Sequence, residues 1–540
     1  MKSPCHNLFV LVEVLFLCWQ ANLAQANVYP TDIRLNGSFQ YAVLLPGGSV
    51  TISYVLNDVA TGGVWIQIYN GTNLVETLAS TNGNAGTNAG LNSVSWDGSS
   101  DQTNATNLAE GAYSVSITAA SAGYETWTNI TDDGSNFSVL APRGITVNQN
   151  TNSPYYGRVY VADAHNQTEG GPSGIFKYNA DGSPADEGSF SDGGYNWGTT
   201  GYSPWKMVVG ADDRLYVDDF SGQGAVVSFD PTIDDTSLRQ VISTTNYPDP
   251  MLYPDLELSG FALVASGTNV QIWMTDQNPY GSLGVIGWHL GPDGTASTND
   301  TGTPIIPLDS EFLTQAPYDL TVDSNGFIYT VEYLTNGGPP AYALISFHPY
   351  LEVPDSWGFW ADEWYPALLR ASGVAVDPAA ALVAMAVIGH CDTEHPCGGL
   401  YLFDASDGKP LTNLDQMTGG PYYDVAWDNV RNLYTVGGPL SNSVWRVYSP
   451  PGTNQATTVA VPFIQVYNSL QPAMLCNPWA CPDHMHFLLQ GQSNITYLIQ
   501  SSSDLTNWVA VATNYSILTN RWLSVPVGGS QSFYRAVTLP

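Results

Sequence analysis

The sequence has few basic residues. Only 14 Lys and Arg stand against 48 Asp and Glu among 540 residues, which gives a formal net charge of −34. Such a chain lacks the positive surface that binding to nucleic-acid phosphates requires, so nucleic-acid-binding functions are excluded. Charged residues make up only 11% of the chain and hydrophobic residues 44%. This balance excludes a disordered acidic protein.

The sequence also has no hydrophobic run long enough to span a membrane. The apolar stretch at 8–19 is shorter than the roughly 20 residues that a membrane-spanning helix needs. It follows the basic Lys2 and precedes Ala24-Gln25-Ala26, an order typical of a cleaved signal peptide covering 1–26. We therefore expect a secreted or cell-surface protein without a transmembrane segment. Lipidation at Cys18 is the alternative, which the bulky Leu17 disfavours.

Cysteine is scarce outside the predicted signal peptide. The remaining four residues form two closely spaced pairs: Cys391 with Cys397, and Cys476 with Cys481. Because export permits disulfides, we predict these two local bridges, although four cysteines allow three connectivities. Zinc is the alternative, since histidines flank both pairs: His390, His395, His484 and His486. The spacings match no common zinc module, so no metal is predicted there.

No cofactor is predicted, but weakly bound calcium is an alternative. Two loops at 179–187 and 230–235 are rich in Asp, whose oxygens suit that ion. Neither loop has the spacing of an EF-hand.

Glycine, proline and aromatic residues are abundant, a composition that favours strands joined by tight turns. In the region 27–141, four segments follow the period of two that half-buried strands show. They are TISYVL (51–56), VWIQIY (64–69), NSVSWDG (92–98) and GAYSVSITA (111–119). Strands at this spacing predict a β-sandwich. The segments resemble, in order, the Ig-like domain of the flagellar-hook-capping family, which implies a spacer or adhesion role without catalysis.

The region 142–466 contains six repeats of about 50 to 60 residues. The first strand of each repeat begins as GITV (144), KMVV (206), GFALV (260), DLTVD (319), GVAVD (373) and DVAWD (424). Second strands such as RVYVAD (158–163) and RLYVDD (214–219) follow. One short antiparallel unit cannot bury its faces alone, so the repeats predict a six-bladed β-propeller.

This repeat resembles that of the NHL family, and it is similar to gluconolactonase-type six-bladed propellers. In the latter, a Glu, an Asn and an Asp before the first strands hold a divalent cation. The corresponding positions here are Arg143, Trp205, Ser259, Tyr318, Ser372 and Tyr423. The oxygen ligands are missing, so the resemblance implies the fold and weakens the lactonase activity. We expect instead a binding mouth formed by Arg143, Trp205, Tyr318 and Tyr423, with His390 and His395 in a nearby loop. The alternative is that the rings only fill the channel rim and that the histidines are only solvated.

Acidic residues end four of the second strands: Asp163, Asp219, Asp276 and Glu332. Four acids in a ring would suit a metal or general-acid site. A carboxylate at a strand end also commonly accepts hydrogen bonds from the N–H groups of the next turn, and we favour this explanation.

The region 467–540 is predicted to be a small β module. YLIQSSSDLTNW (497–508) and the terminal SFYRAV (532–537) resemble a C-terminal module common on large exported proteins of Verrucomicrobia-like bacteria. The resemblance implies surface retention or interdomain packing.

Together these features predict an all-β protein with an Ig-like β-sandwich (27–141), a six-bladed β-propeller (142–466) and a small C-terminal β module (467–540). We expect a non-enzymatic protein whose propeller face binds an extracellular glycan or protein. The alternative is a hydrolase or lyase acting on an extracellular sugar or lactone, and a third hypothesis is a structural surface-layer component.

Overall fold

The protein consists almost entirely of β-strands, which confirms the predicted all-β fold. The computed structural model describes residues 27–81, 83–100, 108–165, 173–186, 188–198, 202–220, 225–243, 246, 258–266, 269–278, 282–307, 316–332, 342–348, 357–360, 371–388, 399–415, 421–437, 443–469, 473–516, 520–527 and 532–538. Within these ranges the only helical elements are two 3₁₀ turns, Ser135–Phe137 and Asp235–Ser237. The described residues include no helix that could cross a membrane.

The N-terminal unit is a sandwich of two sheets. Its strands are β1 (Pro30–Leu35), β2 (Tyr41–Leu44), β3 (Val50–Leu56), β4 (Gly63–Asn70), β5 (Asn73–Ser80), β6 (Gly90–Trp96), β7 (Gly111–Tyr124) and β33 (Gly452–Val466). One sheet has the order β1-β3-β6 and the other β2-β33-β7-β4-β5. Alternate side chains of these strands, such as Ile52, Ile66 and Ile117, meet in one buried core. The apolar residues that recur with a period of two in the sequence therefore form the inward face of this sandwich.

The middle of the chain forms six sheets of at least four strands. The first contains β10 (Pro142–Val147), β11 (Val159–Asp163), β12 (Gly174–Tyr178) and β13 (Phe190–Ser191). The second contains β14 (Met207–Val209), β15 (Leu215–Asp219), β16 (Ala225–Phe229) and β17 (Arg239–Ile242). The third contains β18 (Leu258–Ser266), β19 (Asn269–Asp276), β20 (Val285–Leu290) and β21 (Thr303–Ile306). The fourth contains β22 (Pro317–Val322), β23 (Ile328–Glu332), β24 (Tyr342–Phe347) and β25 (Trp357–Trp360). The fifth contains β26 (Ala371–Val376), β27 (Leu382–Val387), β28 (Gly399–Asp404) and β29 (Pro410–Asn413). The sixth contains β30 (Tyr422–Trp427), β31 (Leu433–Gly437), β32 (Ser443–Ser449), β8 (Thr128–Asn129) and β9 (Ser138–Val139).

These six sheets are arranged as a propeller. The first strands of successive sheets are neighbours, and β30 of the sixth sheet contacts β10 of the first, so the ring closes. Every first strand thus lines one central channel, and the apolar side chains between neighbouring sheets form separate buried clusters. We call the sheets blades 1 to 6 in chain order.

Two exchanges of strands connect the propeller with the sandwich, and they differ from the predicted boundaries. Strands β8 and β9 lie in the predicted 27–141 unit, yet both pair with β32 of blade 6. Strand β33 lies in the predicted 142–466 unit, yet it pairs with β2 and β7 of the sandwich. Local periodicity identifies strands but carries no information about partners hundreds of residues away, which is why these pairings could not be predicted.

The C-terminal module has two three-stranded sheets. Its strands are β34 (Met474–Ala480), β35 (His484–Gln490), β36 (Ile495–Ser502), β37 (Val509–Ser516), β38 (Asn520–Pro526) and β39 (Phe533–Thr538). The orders are β34-β35-β38 and β37-β36-β39. Phe487, Leu489, Tyr497, Ile499 and Val525 form the core between the sheets.

Candidate functional site

The beginnings of the six first strands form a ring in which glycine alternates with a charged residue. In chain order the ring is Gly144, Lys206, Gly260, Asp319, Gly373 and Asp424. Gly144, Asp319, Gly373 and Asp424 occupy the same register opposite the second strand of their blades. A Cβ on Gly260 would collide with Asp319, and one on Gly373 would lie 2.7 Å from the Cα of Asp424. The glycines therefore leave the space that three charged side chains occupy.

The Lys206 ammonium group is at the centre of this ring. Nζ lies 2.7 Å from Asp424 Oδ1 and 3.4 Å from Asp319 Oδ2. It also donates to the carbonyl oxygens of Ser372 at 2.7 Å and Tyr423 at 3.0 Å. Lys206 is only 3% exposed, so its charge is balanced by the two carboxylates and not by solvent. This one side chain links blade 2 to blades 4, 5 and 6.

Asp319 and Asp424 also accept hydrogen bonds from the backbone of the next blade. Asp319 Oδ2 accepts from Val374 N at 3.0 Å, and Asp424 Oδ2 accepts from Ile145 N at 2.9 Å. Burial raises the pKa of Asp319 to about 7, although Lys206 opposes this shift and Asp424 adds to it. Burial likewise raises the pKa of Asp424. Asp319 is thus a carboxyl group that can take up or release a proton near neutral pH.

Asp218 adds a third carboxyl group to the ring. It is fully buried, and neither carboxyl oxygen has a hydrogen-bond partner among the described residues. Burial raises the pKa of Asp218 well above its usual value, the charges of Asp219 and Asp319 raise it further, and Lys206 lowers it. We call Lys206, Asp218, Asp319 and Asp424 the channel cluster.

The four residues predicted to form the mouth do come together. The Arg143 guanidinium lies 5.3 Å from the ring centroid of Trp205 and 5.4 Å from that of Tyr423, both within cation–π range. The rings of Trp205 and Tyr318 meet edge to face at 6.0 Å. We call Arg143, Trp205, Tyr318 and Tyr423 the mouth cluster. Each member directly precedes a member of the alternating ring, so the two groups are adjacent.

The other two residues of the predicted mouth ring do not join the mouth cluster. Ser259 Oγ donates to the carbonyl oxygen of Tyr318 at 2.8 Å, and Ser372 Oγ donates to that of Tyr422 at 2.7 Å. Both serines are completely buried. They connect neighbouring blades through backbone carbonyls.

A cavity of about 300 Å³ lies in the channel, with Lys206, Asp319 and Asp424 among its lining residues. The later residues of the first strands complete the lining, including Thr146, Val208, Leu263, Thr321, Val376 and Trp427. This volume is at the lower end of the range typical of small-molecule sites, about 300 to 1,000 Å³. The channel therefore combines a cavity of ligand size with buried groups that can titrate.

Several predicted residues lie elsewhere. His390, His395, Cys391 and Cys397 are outside the described residues. The predicted Cys476–Cys481 disulfide is not formed, since both thiols are free. Cys476 lies near the start of β34 and Cys481 follows its end. Extended chain rises about 3.3 Å per residue, which separates the two Cα atoms by more than the roughly 7 Å that a disulfide can bridge.

Three of the acids at the ends of the second strands have hydrogen-bond partners that the structure shows. Asp163 accepts from Leu140 N and Ala141 N at 3.1 and 3.2 Å. Asp276 accepts from Asn278 N and Leu283 N at 3.1 and 2.8 Å. Asp219 Oδ2 accepts from the Tyr195 hydroxyl at 2.8 Å. Asp276 thus caps the turn after its strand, as the turn-capping explanation expects. Asp163 instead binds the bend before the first strand of its blade, and Asp219 binds a side-chain hydroxyl.

The Asp-rich loops engage their carboxylates in a similar way. Asp186 pairs with Arg158 at 2.7 Å and with Arg34 at 3.6 Å. Asp230 Oδ1 accepts from Thr232 N and Asp234 N at 3.1 and 3.2 Å. Across the part of the chain that the structure describes, no three His, Cys, Asp or Glu side chains are grouped so that they could hold a metal ion.

Sequence reasoning missed the channel cluster. In the sequence, three of its members stand out only as the first residues of strands: Lys206, Asp319 and Asp424. Asp218 is only the residue before a strand-end acid. Two signals were present: a charged residue begins the first strand in every second repeat, and blade 2 has Asp218-Asp219 where most blades have a single acid.

Comparison with known proteins gives only remote similarity. No family model matches the sequence, and no curated protein matches it. Among solved structures, an aldose sugar dehydrogenase from Escherichia coli is 12% identical with a TM-score of 0.36, covering 60% of this chain and 99% of its own. An exo-β-1,3-galactanase from Phanerochaete chrysosporium is 10% identical with a TM-score of 0.29, covering 60% and 88%. A GH43_1 enzyme from Xanthomonas citri is 10% identical with a TM-score of 0.27, covering 44% and 83%.

The expectation of a non-enzymatic binding protein is corrected by these matches. The structures found are those of a sugar dehydrogenase and of glycoside hydrolases, at TM-scores between 0.23 and 0.36. That expectation treated the missing metal ligands as if the channel held no chemically active groups. It overlooked the titratable side chains one residue further along the same strands.

Proposed function

We propose that this protein is a hydrolase or lyase that acts on an extracellular sugar or lactone in the propeller channel. One observation carries the proposal: Asp319, a carboxyl group whose pKa is raised to about 7, lines a channel cavity of about 300 Å³. A general acid–base catalyst works best when its pKa lies near the working pH.

In this proposal Asp319 transfers the proton. In hydrolysis, its carboxylate takes a proton from the attacking water while the water oxygen bonds to the substrate carbon. The bond from that carbon to the leaving oxygen breaks, and the carboxyl group returns the proton to the leaving oxygen. Lys206, 3.4 Å from Asp319 Oδ2, stabilises the ionised form of the carboxyl group.

Asp218 has a different role. It is completely buried and is not among the residues that line the cavity, so we expect it to act on Asp319 electrostatically and not by contact with the substrate. The mouth cluster supplies flat apolar rings and one guanidinium, which suits a sugar ring that carries hydroxyl or acidic groups.

The test is turnover of a panel by the full chain: aryl glycosides, sugar lactones, and neutral and acidic polysaccharides. Lyase products are detected by the ultraviolet absorbance of a new double bond, and hydrolase products by reducing ends or acid release. We expect Asp319→Asn to lower kcat by about 10²- to 10⁴-fold, the usual contribution of general acid–base catalysis. Asp163→Asn, which changes a strand-end acid, is the matched control and should keep its activity.

A pH profile guards against misfolding of the Asp319→Asn variant. If Asp319 is the proton-transfer group, kcat/KM of the unmodified chain changes with an inflection near pH 7. Absence of turnover across the whole panel, or equal activity of the Asp319→Asn and Asp163→Asn variants, would contradict the proposal.

A further inference from the structure

The C-terminal module carries an aromatic sheet face that is exposed to solvent. In the sheet β34-β35-β38, residues directly opposite each other share a face. One row of the outward face contains Trp479, His486 and Ser524, and the next contains Cys476, Leu488 and Trp522. A third row contains Met474, Gln490 and Asn520. We call these nine residues the outer face.

Two tryptophans stand at opposite edges of the outer face. Trp479 is 49% exposed and Trp522 is 57% exposed, whereas an outward sheet position is usually polar. They lie on β34 and β38, on either side of β35. Strand and residue spacings place their Cα atoms roughly 12 Å apart, along a diagonal of the sheet.

The ring of Trp479 is held in a fixed orientation. It stacks on the imidazole of His486 with a centroid distance of 3.8 Å and an interplanar angle of 7°. His486 covers one face of the indole, and Trp479 as a whole is still 49% exposed. A ring held in this way loses little conformational freedom when a ligand binds.

The distribution of charged residues limits which partners such a face can bind. The outer face contains no Asp, Glu, Lys or Arg, while the whole chain has a net charge of −34. The region 467–540 contains two Asp and two Arg, so the module has no net charge of its own, and charges elsewhere in the chain are screened beyond about 8 Å. An anionic membrane or an acidic polysaccharide finds no basic side chain among the nine residues of the outer face. A neutral polysaccharide needs none, and the apolar C–H faces of its sugar rings match the electron-rich faces of the indoles.

We propose that the outer face binds a neutral polysaccharide chain, with Trp479 and Trp522 each stacking on one sugar ring. Ser524 shares the row of Trp479, and Gln490 and Asn520 belong to the row next to that of Trp522. All three provide hydrogen-bonding groups for sugar hydroxyls. The spacing of the tryptophans corresponds to a few sugar units along a chain. This binding does not depend on catalysis in the channel.

The experiment uses the full chain with insoluble cellulose, chitin and β-1,3-glucan in sedimentation assays, and with soluble xylan and glucomannan in affinity gels. Removing a central aromatic anchor commonly costs about 2 kcal/mol, which is roughly thirtyfold in affinity. We expect at least one neutral polysaccharide to retain the protein, Trp479→Ala and Trp522→Ala to lose about tenfold or more each, and the double variant to lose retention.

The matched control is Val509→Ala, which removes an equally exposed apolar side chain from the other sheet of the same module. It should bind as the unmodified chain does, and so should Asp319→Asn, which separates this site from the channel. Circular dichroism of the tryptophan variants checks their fold. The proposal is overturned if no neutral polysaccharide is retained, if the double variant binds unchanged, or if the face proves to bind anionic vesicles or a second copy in gel filtration.

Discussion

The propeller contains two sets of buried acids whose surroundings differ. The strand-end acids Asp163 and Asp276 each accept two hydrogen bonds from backbone N–H groups of a bend or turn. In the channel cluster, Asp319 and Asp424 share one ammonium, and Asp218 has no hydrogen-bond partner in the described structure. Burial alone therefore does not distinguish a structural carboxylate from a reactive one. The shared counter-ion does, because Asp319 and Asp424 are coupled through one ammonium, although they also accept backbone hydrogen bonds as the strand-end acids do.

The largest effect that would test this comparison is expected from Lys206→Met. The substitution leaves Asp319 and Asp424 buried without their counter-ion, which typically costs about 3 to 5 kcal/mol of the free energy of unfolding. Urea denaturation measures the change. Lys409→Met, at an exposed lysine, is the control and should stay within about 0.5 kcal/mol. A similar small change for both variants would show that the ammonium does not hold the channel cluster together.

Gly260→Ala is expected to have the next largest effect. The added Cβ would collide with Asp319, and overpacking of this kind costs about 1 to 3 kcal/mol. The thermal midpoint measures the loss. Gly291→Ala is the control, because its Cβ would come no closer than 3.1 Å to the flexible end of Asp293. Equal midpoints for the two variants would mean that the alternating glycines are not required for the ring.

Asp319→Asn should change how stability depends on pH. The pKa of Asp319 is about 7 in the folded chain and about 4 when unfolded. Between these two pKa values the unfolded chain releases a proton that the folded chain keeps. Asp319 therefore stabilises the fold fully below about pH 4, and this contribution is lost as the pH rises to about 7. Its slope is at most about 1.4 kcal/mol per pH unit. Urea denaturation from pH 4 to 8 should therefore show that the free energy of unfolding of the variant rises relative to that of the unmodified chain as the pH rises. Parallel curves of unfolding free energy against pH would contradict the raised pKa of Asp319.

The smallest effect is expected from Asp163→Asn. An amide keeps one acceptor oxygen for the two N–H groups of Leu140 and Ala141, so the variant should lose about 1 kcal/mol of the free energy of unfolding. Urea denaturation at pH 7 measures this loss, and activity on any substrate that is found should not change. A loss of activity here would place a strand-end acid in the catalytic machinery and remove the distinction between the two sets.

Much of the fold could be predicted because its signals are local. The period of two in TISYVL identifies β3, and the sixfold repeat predicts the blades, since both patterns depend on which side chains face a core. The mouth cluster was predicted for a related reason. Equivalent positions of a closed repeat converge on its axis, so Arg143, Trp205 and Tyr423 had to approach each other.

The chemistry of the channel cluster could not be predicted from local sequence signals. Asp319 and Asp424 look like ordinary polar residues at the start of a strand, and Lys206 resembles a solvated lysine. Their significance depends on burial and on a shared contact between residues 218 positions apart. The free thiols of Cys476 and Cys481 show the opposite error, because close spacing in sequence was taken for closeness in space although an extended strand separates them.

Strand β33 has a consequence for how the chain is made. It inserts between β2 and β7 of the sandwich and pairs Ile464 with Tyr113. Synthesis proceeds from the N-terminus, so the ribosome delivers most of the sandwich first and its central strand only after the whole propeller. The first unit to emerge is thus the last to be completed. Until then, β2 and β7 each present an open edge to other nascent chains, an opportunity for aggregation that a chaperone or rapid propeller closure must cover.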